Sequence, residues 1–418
     1  MSDRKKSIVF SPGRIGLLEI KNRLIRSATF EQGATNKGEV SDTLIEFHCN
    51  LAKGGIGLII TGISWVYPKM EAPPMVMRAD DDSFIPGMQR LTRTVHDAVP
   101  DCKIMLQLHH PGRQVVAGPE DQSRMSSFFP LAYKAYARNH PDPVPTQEKP
   151  HYLEPTAPSA IYDEFFRRTP HALMLEEIEQ IIDAFAEGIR RAQEAGFDGV
   201  ELHAAHGWLL SSFMSPRTNQ RDDLYGGSTE NRTRILREII QQARKHVGSH
   251  FPIMIKFNTT DFLPGGIEID ESVRIGKVLA GVGFDALEAS GGMWECVTHS
   301  KKELKWNPVI LPESRTGILT SEQEAYFLPG AKALKENTQA TIISIGGYRS
   351  FSVIESALAS NATDFVSLSR PLIRQPDLPN IWYSGGPDKA ECVSCNACLP
   401  MGTTRLTCRA DKVSSLNE

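Results

Sequence analysis

The stretch Val200-Glu-Leu-His-Ala-Ala-His-Gly-Trp208 has the pattern of a short buried strand that runs into a loop carrying two imidazoles, His203 and His206. Two histidines three residues apart at a strand end can point into one small volume above a sheet. Because imidazole N–H groups donate hydrogen bonds, such a pair can hold a developing oxyanion. The alternative is that each ring only satisfies backbone groups. The strand-end position and the long polar loop that follows, 215–232, favour a site.

Seven further apolar segments surround this one and alternate with helical patterns. Continuous apolar runs are typical of strands buried on both faces. Eight parallel strands predict an α/β fold, a single-domain closed (β/α)8 TIM barrel, with an open doubly wound sheet as the alternative. The predicted strands are 24–28, 57–63, 103–109, 198–203, 252–257, 285–289, 341–345 and 364–368, and the predicted helices are 41–53, 83–99, 175–195, 229–247, 270–280, 321–336, 351–359 and 371–383.

Cap residues fix two of these helix starts. Ser41 precedes the first helix, and Gly54-Gly55 ends it. Ser321 is predicted to cap the helix 321–336, with Glu324 in the position that completes a capping box.

A long interruption, 111–172, follows the third strand and is rich in Pro, Ser and Tyr. A loop of this length in a compact domain is usually a functional lid. The alternative, a disordered linker, is weakened by the eight aromatic residues of this segment, because disordered segments are poor in them. We therefore predict a barrel over 1–385 with a lid at 111–172, followed by a Cys-rich extension over 386–418.

Polar or glycine residues stand where the predicted strands end, which is where a barrel places its chemistry. Gly346-Gly347 and Ser369-Arg370 follow the last two strands, and such a corner often binds phosphate through bare backbone N–H groups. Arg370 would add a fork of donors. Gln107 suits a ring with carbonyl and N–H groups, and Lys256 supplies positive charge. Together they describe a phosphorylated heterocyclic cofactor across the barrel mouth, facing the His pair.

The composition is that of an ordinary soluble protein. Of 418 residues, 40% are hydrophobic and 23% are charged, and the net charge is −4. A net charge of this size does not indicate a basic surface that would bind nucleic acid or a membrane. No apolar run is long enough to span a membrane. The first residues lack the apolar core of a secretory signal, so we expect a cytoplasmic protein that acts on a small molecule. The sequence is compatible with homo-oligomerisation but does not determine the oligomeric state.

Four of the seven cysteines cluster near the C-terminus: Cys392, Cys395, Cys398 and Cys408. In a reducing compartment such a cluster suggests a metal before it suggests disulfides. Four thiolates can bind an iron–sulfur cluster or zinc, and a remnant of free thiols is the third possibility. The three stay open at this point.

The chain resembles the Old Yellow Enzyme family of FMN-dependent NAD(P)H oxidoreductases. The resemblance runs from the 11–23 segment to Ser369-Arg-Pro-Leu, and it is most specific at Gln107-Leu-x-His-x-Gly-Arg113, His203-Ala-Ala-His-Gly and Arg221-x-Asp-x-Tyr-Gly-Gly-Ser-x-Glu-Asn-Arg232. The branch with two histidines, which includes the barrel part of bacterial 2,4-dienoyl-CoA reductase and the enoate reductases, is the most similar. The cysteine cluster resembles the iron–sulfur ligand run of those reductases, with shorter spacing.

The resemblance implies a role for each strand-end residue. His203 and His206 would bond the carbonyl oxygen of a conjugated substrate, while hydride passes from NAD(P)H through flavin N5 to the β-carbon. Lys256 would stabilise the reduced ring near N1–O2. Contacts to the ring and its phosphate would come from Ser27, Ala28, Thr29, Gly62, Gln107, Gly346, Gly347, Ser369 and Arg370.

One departure from the family pattern affects the chemistry. Enone reductases of the family have Tyr as a proton donor two residues after the second His or Asn, and Trp208 stands there instead. An indole N–H is a donor but not a practical acid. Protonation would then come from water or a lid tyrosine. The alternatives are an amine dehydrogenase or demethylase, since an aromatic face holds a cation, or a flavin- or metal-based redox sensor.

Overall fold

Eight parallel strands close into a barrel, which confirms the predicted (β/α)8 fold. The structure, a computed structural model, describes residues 4–70, 72–115, 153–306, 313–398 and 406–410. The first barrel strand pairs with both the second and the eighth, so the sheet has no free edge at this seam. The barrel strands are Leu24–Arg26, Leu58–Trp65, Lys103–His109, Gly199–Ala204, Ile253–Asn258, Ala286–Ser290, Thr341–Ser344 and Phe365–Leu368.

The lower part of the barrel interior is an apolar layer made by alternate residues of the strands. Because side chains alternate across a strand, every second residue points inward. A short hairpin, Gly13–Ile15 with Leu18–Ile20, adds Ile15 and Ile20 to this layer from outside the barrel. The inward apolar residues are Ile25, Leu58, Ile60, Met105, Met254, Ala286, Ile343 and Phe365. Polar side chains are therefore left for the opposite, carboxyl end.

Most predicted helices are present, but 229–247 and 371–383 are each divided into two helices, and Leu209–Met214 and Lys301–Leu304 were not predicted. The helix predicted over 321–336 is wrong at its start: Ser321–Gln323 is a 3-10 turn capped by Thr320, and the α-helix begins at Leu328. Glu324 is not part of a capping box, because its carboxylate accepts hydrogen bonds from the amides of Arg349 and Ser350. The α-helices are Asp42–Lys53, Ile85–Ala98, Leu175–Glu194, Leu209–Met214, Thr229–Arg232, Arg234–Val247, Ile269–Gly281, Lys301–Leu304, Leu328–Asn337, Phe351–Ala359, Arg370–Arg374 and Leu378–Tyr383.

The predicted lid is described only in its second part. There, Thr156–Ala157 pairs with His171–Ala172 in a small parallel sheet. The lid residues 116–152, which include Tyr133, Tyr136 and Tyr152, lie outside the described residues. In the described part of the chain, the helices are all too short or too polar to cross a membrane.

Candidate active site

The two histidines of the opening motif lie side by side at the carboxyl end of the fourth barrel strand. Their ring centroids are 5.1 Å apart and both rings are buried. His206 has a left-handed backbone with φ of 63°, which a tight turn requires here, and its Nε2 lies 2.7 Å from the Ser290 hydroxyl oxygen. His203 Nδ1 is buried and has no hydrogen-bond partner among the described residues. The pair is thus brought together as the sequence predicted, with one ring nitrogen left for a ligand.

Both imidazoles are neutral at pH 7. Burial holds the pKa of His203 well below its ordinary value, and the neighbouring His206 lowers it further, because two protonated rings would repel each other. Burial also lowers the pKa of His206, with Lys256 as the second cause. A neutral imidazole still donates one N–H hydrogen bond, so the pair can polarise a carbonyl group without adding a formal charge.

An aromatic wall stands beside the pair. It is formed by Trp208, whose ring lies 4.7 Å from that of His109 and 5.5 Å from that of Trp294. The lid adds Phe165 and Phe166, with ring centroids 5.4 Å and 6.3 Å from Trp294. Sequence reasoning missed Trp294, because it lies four residues beyond the sixth strand in a loop without periodicity. The wall suits a flat or apolar ligand.

A buried charge network fixes this wall to the barrel. Arg113, from the motif after the third strand, lies 2.9 Å from Asp163 of the lid and 3.6 Å from Glu295, next to Trp294. Arg217 joins Glu295 at 3.4 Å. Asp163 also accepts the backbone N–H groups of the two lid phenylalanines. These contacts give the described part of the lid a defined position over the site.

Below the histidines lies a layer of buried polar side chains. Lys256 Nζ is 3.3 Å from Glu201 Oε1, 3.1 Å from Glu288 Oε2 and 3.2 Å from Ser27 Oγ. Gln107 donates to Glu201 Oε1 at 2.7 Å. The sequence predicted three of these residues but missed both glutamates. Alternation along the strands would have found them, since each stands two residues before a strand-end site residue and so shares its inward face.

The first, second and eighth strands meet beside this layer. Thr29 Oγ1 lies 2.8 Å from Ser369 Oγ, so two of the predicted flavin contacts are adjacent, with Ala28 next to them. A Cβ added at Gly62 would lie 2.7 Å from the Thr29 carbonyl oxygen. Only glycine therefore fits at this close approach.

Gly346 and Gly347 form the predicted phosphate corner. Their φ angles of 118° and 75° favour glycine, and a Cβ at Gly347 would lie 2.6 Å from the Tyr326 ring. In the described residues neither amide donates a hydrogen bond to the protein. Buried or half-buried N–H groups without partners are uncommon, so this turn fits a phosphate group.

Arg370 connects the corner to the C-terminal extension. Its Nη1 donates to the Arg315 carbonyl oxygen at 2.8 Å and to Asn396 Oδ1 at 2.6 Å. Asn396 in turn donates to the Ser314 carbonyl oxygen. The extension therefore orients the guanidinium that the sequence assigned to phosphate binding.

We expect Asn396→Leu to weaken FMN binding about tenfold, or ~1.4 kcal/mol, because Arg370 would lose a charge-assisted hydrogen bond that orients it. The dissociation constant is measured by quenching of flavin fluorescence. Asn361→Leu, the same change at an exposed position with the same left-handed backbone (φ 56°, against 58° at Asn396), is the control and should leave the constant unchanged. An unchanged constant for Asn396→Leu would show that the extension does not support the corner.

The four clustered cysteines all lie among the described residues. Cys392 and Cys398 are buried, Cys395 is exposed and Cys408 is half-buried, and none is in a disulfide. Across the described ranges, no three His, Cys, Asp or Glu side chains come together as ligands. No chemical step is assigned to an iron–sulfur cluster or zinc. The metal stays a prediction from spacing alone.

Comparison with known proteins bears on the whole barrel. The model of the NADH:flavin oxidoreductase / NADH oxidase family matches residues 8–388. The chain is similar to the NADH oxidase of Thermoanaerobacter brockii, with 33% identity over 390 residues that cover 93% of this chain and 52% of that protein. It is 30% identical over 423 residues to the 4,4'-dithiodibutanoate disulfide reductase of Rhodococcus erythropolis, covering 96% and 94%.

Among solved structures, a 2-naphthoyl-CoA reductase complex has a TM-score of 0.76 at 26% identity, covering 96% of this chain and 56% of that one. The chain thus spans about half the length of this reductase and of the NADH oxidase. It spans nearly all of the disulfide reductase.

Proposed function

The chain belongs to the NADH:flavin oxidoreductase / NADH oxidase family, and we propose that it is an FMN-dependent reductase that uses NAD(P)H to reduce a conjugated carbonyl substrate. When bound, FMN supplies the transfer of two electrons between the nicotinamide and the substrate. The residues that would hold it are the glycine corner, Arg370, Gln107, Lys256 and the adjoining strand ends. Their fit rests on the free amides at Gly346 and Gly347 and on the close approach at Gly62.

The observation that carries the proposal is the neutral, buried pair of His203 and His206. Preorganised N–H donors stabilise negative charge that develops on an oxygen, and they are most effective where water is excluded. A conjugated carbonyl accumulates negative charge on its oxygen when its β-carbon is reduced. The pair supplies such donors above the polar layer.

The position of Trp208 predicts that its ring lines the site and does not act as a proton donor. We expect Trp208→Phe to change the rate of enone reduction by less than about threefold, which corresponds to under 1 kcal/mol of barrier. Loss of a general acid would cost at least about 100-fold. Stopped-flow reoxidation of the reduced enzyme by cyclohexenone measures this. A loss of that larger size would show that the indole N–H takes part in proton transfer.

The same wall favours a second candidate, oxidation of an amine. The ring centroids of Trp208 and Trp294 are 5.5 Å apart, with the rings in an edge-to-face arrangement. Aromatic faces attract organic cations. In this case the substrate, not NAD(P)H, would reduce the flavin. Anaerobic reduction by secondary and tertiary methylamines in the absence of NAD(P)H distinguishes the two candidates.

The experiment that tests the proposal uses protein loaded with FMN under anaerobic conditions. NADH or NADPH should bleach the flavin absorbance, and cyclohexenone should restore it. Flavin that NAD(P)H reduces but that no member of an enone panel reoxidises would reject the alkene reductase. Flavin that neither nicotinamide reduces would reject the NAD(P)H dependence.

A further inference from the structure

Two carboxyl groups and one ammonium group are buried together inside the barrel. Glu201 and Glu288 have no exposed surface, and Lys256 between them is 2% exposed. Strand register explains the arrangement, since Lys256 pairs with Glu288 and Gln107 with Glu201 on neighbouring strands. The formal charges are two negative and one positive. A net charge in a water-free interior is costly, so a proton on one carboxyl group is the favoured solution.

The hydrogen bonds leave room for that proton. Glu201 Oε1 accepts from Gln107 and faces Lys256, while Glu201 Oε2 accepts no hydrogen bond from any described residue. Glu288 Oε1 accepts from the Ser27 hydroxyl at 3.2 Å. Burial and the charge of Glu288 raise the pKa of Glu201. Burial acts on Glu288 in the same direction, but the charge of Lys256, together with hydrogen bonds from Glu201, Ser367 and Lys256, outweighs it and lowers the pKa.

We propose that Glu201 and Glu288 share one proton beside Lys256 at neutral pH and that, where alkaline pH has removed this proton, the pair regains it when the cofactor above gains negative charge. This proposal rests on the proposed function. In it, Glu201 and Glu288 hold Lys256 in position below the cofactor. On reduction, two electrons and one proton would enter the bound flavin. At alkaline pH, where the pair has lost its shared proton, a second proton would enter the pair from solvent. The other groups that face the pair or lie within electrostatic reach of Lys256 are Ser27, Gln107, Ser367, His203, His206 and Glu313.

Glu313 must be removed from the measurement, because burial raises its pKa to about 7. All proteins compared therefore carry Glu313→Gln, and each variant is compared with the parent by a difference spectrum, because burial also raises the pKa of Asp261 and of Glu295. The first measurement needs no flavin: infrared spectra of the apoprotein at pH 7 should contain a protonated carboxylic acid band. This band should be lost in both Glu201→Gln and Glu288→Gln, because the single remaining carboxylate then pairs with Lys256. Glu336→Gln, an exposed control, should keep the band.

A band that survives in either variant, or that is missing before mutation, would overturn the shared proton. If the variants do not fold, labelling with 13C-glutamate assigns the band in the parent protein, and an absent labelled band has the same meaning. Because the apoprotein is used, this failure is distinguishable from a failure to bind FMN or to reduce enones.

The second measurement is the pH dependence of the flavin midpoint potential. With one proton per two electrons the slope is about 30 mV per pH unit, and with two protons it is about twice that. The parent protein should change from the lower to the higher slope over an alkaline interval that covers the titration of the pair. Glu201→Gln and Glu288→Gln should keep the lower slope throughout. A change of slope that persists in both variants would place the second proton elsewhere.

Discussion

Replacing His203 or His206 with alanine is expected to lower the rate of enone reduction by about 10²–10³-fold. Each change removes one preorganised N–H donor from a site in which both rings are buried and neutral. FMN binding should be retained, because the glycine corner and Arg370 lie on the seventh and eighth strands. Single-turnover reoxidation by cyclohexenone measures the loss separately from reduction by NAD(P)H.

His206→Asn is the matched control for this experiment. Asparagine donates an N–H hydrogen bond and tolerates the left-handed backbone at this position, where φ is 63°. It should keep the rate within about tenfold, because a donor remains. Alanine at the same position also strains the backbone by ~1–2 kcal/mol, so the folded fraction is checked for each variant. Alanine variants that reduce enones at the parental rate would remove the His pair from the mechanism.

His109 and His110 are expected to contribute roughly 5 kcal/mol to the destabilisation of the apoprotein between pH 6.5 and 4.5, in addition to the contribution of His203 and His206, because these two buried histidines resist protonation. Burial lowers the pKa of His109 to about 3, with His110 as a second cause, and burial lowers the pKa of His110 to about 3. The unfolded chain takes up protons near the ordinary pKa of 6.5, and the folded chain does not. The stability is thus fully present above pH 6.5 and falls with pH below it.

Urea denaturation at several pH values measures this slope. The double variant His109→Gln, His110→Gln should lose about two protons of the pH dependence, since glutamine does not titrate. His250→Gln, at an exposed position, is the control and should leave the slope unchanged. A double variant with the parental slope would show that other groups cause the acid sensitivity.

The barrel and the His pair were predictable because their signals are local. Buried strands such as Lys103–His109 are continuous apolar runs with the observed bounds, and Ser41 caps the first helix as predicted. The strand ends then place His203 at the barrel mouth without further information. Barrel closure only requires that the strands be recognised and counted.

The features that could not be predicted from the sequence depend on contacts between distant segments. Trp294 and Phe165 meet through the network around Arg113, and no local pattern indicates a contact across 129 positions. The false helix start at Ser321 has the same origin. Glu324 fits a capping box locally, but its carboxylate instead binds the backbone at Arg349 and Ser350.

The placement of FMN in the barrel mouth is tested most directly by titrating the apoprotein with FMN and monitoring absorbance and flavin fluorescence. We expect one FMN per chain, with shifted flavin bands and fluorescence that is quenched as the ring enters the barrel mouth. Gly347→Val should abolish this uptake, because its Cβ would collide with the Tyr326 ring. A folded protein that takes up no FMN, or that binds it equally well with Gly347→Val, would contradict the placement of the cofactor.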